Sequence, residues 1–171
     1  ARIIQPSNGI YVFGSTSGIP VYEGTWATTR FTTNLSDVDQ KFIIPNTNVD
    51  ISTISVQVQT SASDVTTTNY VEANSLVDIT SETNAYFTQE TVNGEWEIYF
   101  GDGVVGNALI DGNIVILKYV VTNGEEANGA ASFSAAALIS GFGDITTTTM
   151  TSASGGAEAE NLDSIKYNAP F

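Results

Sequence analysis

Residues 113–122 read NIVILKYVVT. In an extended chain successive side chains point to opposite faces. Val115, Leu117, Tyr119 and Val121 then share one face, and Ile114, Ile116, Lys118 and Val120 the other. Apolar residues on both faces, interrupted by one lysine, mark a strand in the middle of a sheet rather than at its border. Asn113 opens the run, and Asn123-Gly124 closes it with turn chemistry.

Working upstream, Trp96, Ile98 and Phe100 alternate in residues 95–100. Asn93-Gly94 separates this run from residues 86–89, a hairpin signal. In residues 49–60, Ile54, Val56 and Val58 alternate with Ser55, Gln57 and Gln59, which predicts a half-solvated antiparallel strand. Shorter strands are expected at 41–44 and, through Trp26 and Phe31, at 25–33. Residues 10–13 and 19–22 flank a Gly/Ser/Thr tip and suggest a hairpin, in which Pro20 puts the second strand at an edge or is its first residue. Residues 70–80 fit a strand or a single helical turn.

Downstream, residues 127–140 are Ala-rich and stand between helix and strand. The threonine run at 145–151 reads as a strand, because β-branched side chains lose rotamer freedom in a helix. Residues 157–168 predict a helix: Glu158, Leu162, Ile165 and Ala169 make a narrow stripe, Glu158 and Glu160 suit its N-terminal end, and Pro170 stops it. The expected fold is mainly β, an antiparallel sandwich or meander with one short C-terminal helix. The expected division is a β-rich domain at 1–126, with 1–20 an arm or hairpin, and an Ala/Thr-rich segment with the helix at 127–171.

Composition agrees. The 171 residues include 15 Gly, 22 Thr, 16 Ser and 14 Asn, which suit strands and turns. Five Lys and Arg face 19 Asp and Glu, for a net charge of −14. Binding to duplex nucleic acid or to an anionic membrane surface needs the opposite balance. Such charge also makes copies of the chain repel, so productive contacts need apolar patches or basic partners. With no His there is no imidazole base or His-held metal, and with no Cys there is no thiol nucleophile, disulfide or iron–sulfur cluster. No stretch approaches 18 consecutive apolar residues.

Few constellations remain for chemistry. Asp102 and Asp111 could form a glycosidase pair, but their flanking glycines favour turns in which Asp bonds its own backbone. Asp37 and Asp39, with Asn46, Asn48 and Asp50, resemble part of a calcium loop but lack its Gly and terminal Glu. Gly101, Gly103 and Gly106 are spaced G-x-G-x-x-G, yet a strand follows where a dinucleotide fold needs a helix. Trp26 and Trp96 could stack on a sugar, which keeps a carbohydrate-binding or adhesin-like module as the alternative function; strand aromatics are more commonly core. No catalytic residue, cofactor site or metal site is expected.

Three stretches carry a family resemblance: FIIPNTNVDISTISVQV at 42–58, EIYFGDGVVGNALIDGNIVILKYVVTNGEEANG at 97–129, and GGAEAENLDSIKYNAP at 155–170. In this order they resemble the baseplate wedge proteins of T-even-type myoviruses, within the broader baseplate J-like family of contractile tails. The resembling positions begin with Phe100, Gly101, Asp102, Gly103 and Gly106. They continue through Asp111, Gly112, Asn113, Tyr119, Asn123, Gly124, Asn128 and Gly129. They end with Gly155, Gly156, Glu158, Glu160, Ile165, Asn168 and Pro170. The resemblance implies a structural, non-enzymatic virion protein of the tail baseplate, assembled in the bacterial cytoplasm. Its implied partners are sister copies and other wedge proteins, as a homo-oligomer in the full-length context. It also implies that this chain is an internal fragment of a longer protein.

Overall fold

Val115, Leu117 and Tyr119 are fully buried, and the strand that holds them organises the molecule. The computed structural model describes residues 2–4, 12–14, 20–37, 39–75, 79–138, 141, 143 and 146–157. They fall into two compact units, residues 24–122 and residues 1–23 with 123–171. In the latter, β1 (Arg2–Ile4) pairs antiparallel with β2 (Val12–Gly14), and Gly124–Ala127 forms a short 3-10 turn.

The 24–122 unit is a sheet of seven strands. These are β3 (Thr25–Thr32), β4 (Phe42–Ile43), β5 (Val49–Gln59), β6 (Thr67–Glu72), β7 (Ala85–Glu90), β8 (Trp96–Phe100) and β9 (Ile114–Val121). Their order is β3-β9-β5-β6-β7-β8-β4. Neighbours are antiparallel except β6 and β7, which run parallel. The sheet curls until its ends meet: the rings of Phe31 on β3 and Phe42 on β4 lie 5.4 Å apart. The result is nearly a barrel.

The core follows the alternation. From β9 come Val115, Leu117 and Tyr119; from β5, Val56 and Val58; from β8, Ile98, with Trp96 and Phe100 packed beside it. Phe42 and Tyr70 both meet the Phe100 ring edge-on, at 5.7 and 5.3 Å. Such edge-to-face pairs add to the hydrophobic gain from burial. On the second face of β9, Ile116 and Val120 are buried and Lys118 is exposed.

Strand β5 has a register shift between Asp50 and Ser55. The shift displaces the β5 backbone, and Thr53 bridges the gap. Its hydroxyl donates to the Asp50 carbonyl at 2.7 Å and accepts the Val120 N–H at 3.0 Å. The Val120 donor is thereby satisfied, as a buried N–H must be.

The structure departs from the sequence reading at the chain ends. Strand β2 overlaps the expected strand at 10–13, but its partner is Arg2–Ile4, and residues 20–22 carry no strand. Three-residue strands are too short to show a period. Residues 146–151 are not a strand, because β-propensity reflects a fit to neighbouring strands and none pairs there. The expected helix at 157–168 lies outside the described residues beyond Ala157.

Candidate functional site

The glycine-rich loop after β8 folds back onto itself. Oδ1 of Asp102 accepts the backbone N–H groups of Val104 and Val105, at 2.8 and 2.9 Å. Those two bonds, Val105 first, hold the exposed Asp102 carboxyl below its ordinary range. The Gly103 N–H reaches the Gly106 carbonyl at 3.1 Å, and Gly101 bridges to Ala108. A Cβ on Gly101 would collide with the Gly106 carbonyl and the Val105 oxygen, so only glycine fits. Outward bonds anchor the loop: Gly106 N–H to Thr80 O at 3.1 Å, Asn107 N–H to Thr83 O at 2.8 Å, and Asn107 Nδ2 to Asn84 Oδ1 at 2.9 Å. No helix follows this loop, and the next element is strand β9. Its backbone donors serve the loop's own fold rather than a phosphate cradle.

A second cluster joins the ends of three strands. Asn113 accepts the Ile110 N–H on Oδ1 at 2.8 Å and donates through Nδ2 to the Thr60 carbonyl at 2.8 Å. Thr33 donates its hydroxyl to the Ile110 carbonyl at 2.6 Å and its N–H to the Asn113 carbonyl at 2.9 Å. Both side chains are buried, and their bonds tie the C-terminal ends of β3 and β5 to the start of β9. Asp111 accepts the Leu35 N–H at 3.0 Å. The two candidate glycosidase carboxylates are thus bound into separate turns. Nothing local in the sequence distinguishes Thr33 from its neighbouring threonines.

The Tyr119 hydroxyl sits at the centre of a third cluster. It donates to Asn46 Oδ1 at 2.6 Å and lies 2.9 Å from the Thr29 hydroxyl, linking β9 to β3 and to the turn before β5. Asn46, one of the calcium candidates, is therefore engaged. Asp50 accepts both the N–H and the hydroxyl of Ser52, at 3.1 and 2.6 Å. Among the described residues no three acidic side chains gather as a metal site would need.

The motif residues of the other unit are also engaged in bonds within it. Asn123 donates its N–H and its amide to the Glu23 carboxylate at 3.0 and 2.6 Å. Asn128 and Gly156 exchange reciprocal bonds, with Nδ2 to the Gly156 carbonyl at 2.8 Å and the Gly156 N–H to Oδ1 at 3.0 Å. A Cβ on Gly156 would strike the Gly124 carbonyl. The Gly129 N–H reaches the Ala153 carbonyl at 2.8 Å. Glu158, Glu160, Ile165, Asn168 and Pro170 lie outside the described residues.

The two tryptophans do not form one platform. Trp96 packs against the core, whereas Trp26 is 59% exposed on the outer face of β3 beneath the Lys118 ammonium, 4.6 Å from the ring centre. Elsewhere in this unit a hollow of about 560 Å³ is lined by Phe87, Tyr99, Asp102 and Val105, among others. Phe87 and Tyr99 stack at 5.2 Å, so their facing surfaces are already covered by each other. One carboxylate, engaged in a turn, leaves this hollow without an acid–base pair.

Comparison with known proteins gives a consistent answer. Residues 29–122 match the family described as bacteriophage baseplate wedge protein gp6, third domain. The chain is also 31% identical over 75 residues to the protein called baseplate wedge protein gp6 of Enterobacteria phage T4. That match covers 35% of this chain and 11% of the relative, so the chain corresponds to a small part of the relative's length. The family match takes in more than half of the chain, stops one residue past β9 and falls within the 24–122 unit. The chain belongs to the bacteriophage baseplate wedge gp6 family, through that family's third domain.

Proposed function

We propose that this chain is a structural domain of a contractile-tail baseplate wedge, located in the virion and working by shape-matched contact between subunits. The observation that carries this reading is the coincidence of the family match, 29–122, with a barrel whose motif residues are consumed by internal bonds. In this reading the motif residues hold shape and perform no chemistry. The partners are sister copies and other wedge proteins, assembled in the host cytoplasm, and residues 127–171 lead toward a further domain. A charge of −14 argues against nucleic acid as a partner. No helix of the described residues is long and apolar enough to cross a membrane.

Cross-linking mass spectrometry on purified tails tests the contacts. Cross-links from residues 24–122 to sister copies or to other wedge proteins are expected. Cross-links confined to tail fibres, or none to any baseplate protein, would overturn the reading.

A further inference from the structure

One face of the 24–122 barrel gathers two of its three basic side chains. This unit has three basic side chains, Arg30, Lys41 and Lys118, against twelve Asp and Glu. Lys41 is neutralised by Glu97, with Nζ 2.6 Å from Oε1. Arg30 and Lys118 have no carboxylate within 4.0 Å among the described residues. They lie on adjacent strands: Arg30 of β3 is opposite Ile116, and Lys118 of β9 is opposite Thr28. They are therefore diagonal neighbours on one face of the sheet. Trp26, opposite Val120, stands on the same face, 59% exposed and covered on one side by the Lys118 ammonium. On the far side of β9 the cross-strand neighbours are Gln57 opposite Ile116, Ser55 opposite Lys118, and Asp50 opposite Val120, whose carboxylate accepts the N–H and hydroxyl of Ser52.

An exposed tryptophan beside two cations that have no ion-pair partner among the described residues is the composition of an interface centre, where Trp and Arg contribute most. The occupant follows from charge. Two copies of a chain at −14 repel over most of their surfaces, and this face is where local attraction replaces that repulsion. We propose that Trp26, Arg30 and Lys118 form the docking face for an acidic surface of a second copy. The inference rests on the sister-copy reading above and adds the surface that serves it. The contact is heterologous, one copy's cationic face against a different, acidic face of the next. A two-fold contact of this face with itself would set Arg30 and Lys118 against their own copies.

Self-association of the full-length protein, measured by sedimentation velocity, tests this with Arg30→Glu combined with Lys118→Glu. Both side chains are exposed, so the melting temperature should fall by no more than the lost Lys118–Trp26 contact costs, which separates docking from folding. The double variant is expected to weaken self-association about tenfold or more, while Arg30→Lys with Lys118→Arg preserves it. Mixed with wild type, the Glu variant should still form mixed pairs through its own acidic surface. Unchanged association of the Glu variant would overturn this inference and leave the sister-copy reading standing. A wild-type protein that stays monomeric at every concentration would overturn both. Mixed pairs lost as completely as variant pairs would contradict a heterologous contact.

Discussion

The ring of Phe31, on the first strand in the sheet order, packs 5.4 Å from the ring of Phe42, on the last. This pair brings the two edges of a seven-stranded sheet together. The Phe42 ring also meets Phe100 on β8 at 5.7 Å, so closure of the sheet and packing of the core share one side chain.

Phe42→Ala is expected to cost about 3–5 kcal/mol in urea unfolding, the usual range for a buried phenylalanine. The half-buried Phe31 should cost less when truncated. A double-mutant cycle between them should give a coupling of about 0.5–1.5 kcal/mol. Strictly additive effects would show that the sheet ends do not depend on each other. Leu117→Asp, which places a charge in the fully buried centre, should prevent folding altogether.

Tyr119→Phe tests the hydroxyl cluster. The change keeps the ring and removes the bonds to Asn46 and Thr29. A loss of about 1 kcal/mol is expected. No loss would mean that the hydroxyl contributes nothing to holding β3 and the β5 turn against β9.

Much of this fold is legible because it is local. The alternation at Ile54, Val56 and Val58 survives as the inner face of β5, and Asn93-Gly94 does join two antiparallel strands. Pairing between distant segments is not written in any window. Thr25–Thr32 adjoins Ile114–Val121, and β6 lies parallel to β7, because each strand's backbone groups find their partners in segments distant in sequence. The site is legible in the same measure. Asp102 and Asp111 stand out through their glycine neighbours, and both sit in turns. Thr33 gains its role from Ile110 and Asn113, some eighty positions away.

Gly101→Ala should destabilise the domain by about 1–3 kcal/mol, because the new methyl meets backbone, which cannot rotate aside. Thermal melting measures it. A neutral outcome would mean that the loop between Gly101 and Gly106 can open without consequence for the barrel.

Two carboxyls set an acid dependence. Backbone bonds from Val105 and Val104 hold the Asp102 carboxyl low, and the hydroxyl and N–H of Thr66 do the same for Asp64. A carboxyl lowered by folding adds stability above its unfolded pKa and loses it as pH falls through the folded value. Denaturant resistance should therefore decline below about pH 4, and less steeply in an Asp64→Asn, Asp102→Asn variant. Equal slopes would show that neither carboxyl depends on its turn. At the other extreme, burial first and the Glu72 charge second push the Tyr86 phenol up to about 12. Its titration, followed by ultraviolet absorbance, should lag behind that of a free tyrosine.

Quantitative mass spectrometry of purified tails tests the baseplate role most directly. Peptides spanning residues 24–122 are expected in the isolated baseplate at the copy number of the wedge proteins. Their absence from the particle, or their recovery in tail fibres alone, would contradict it.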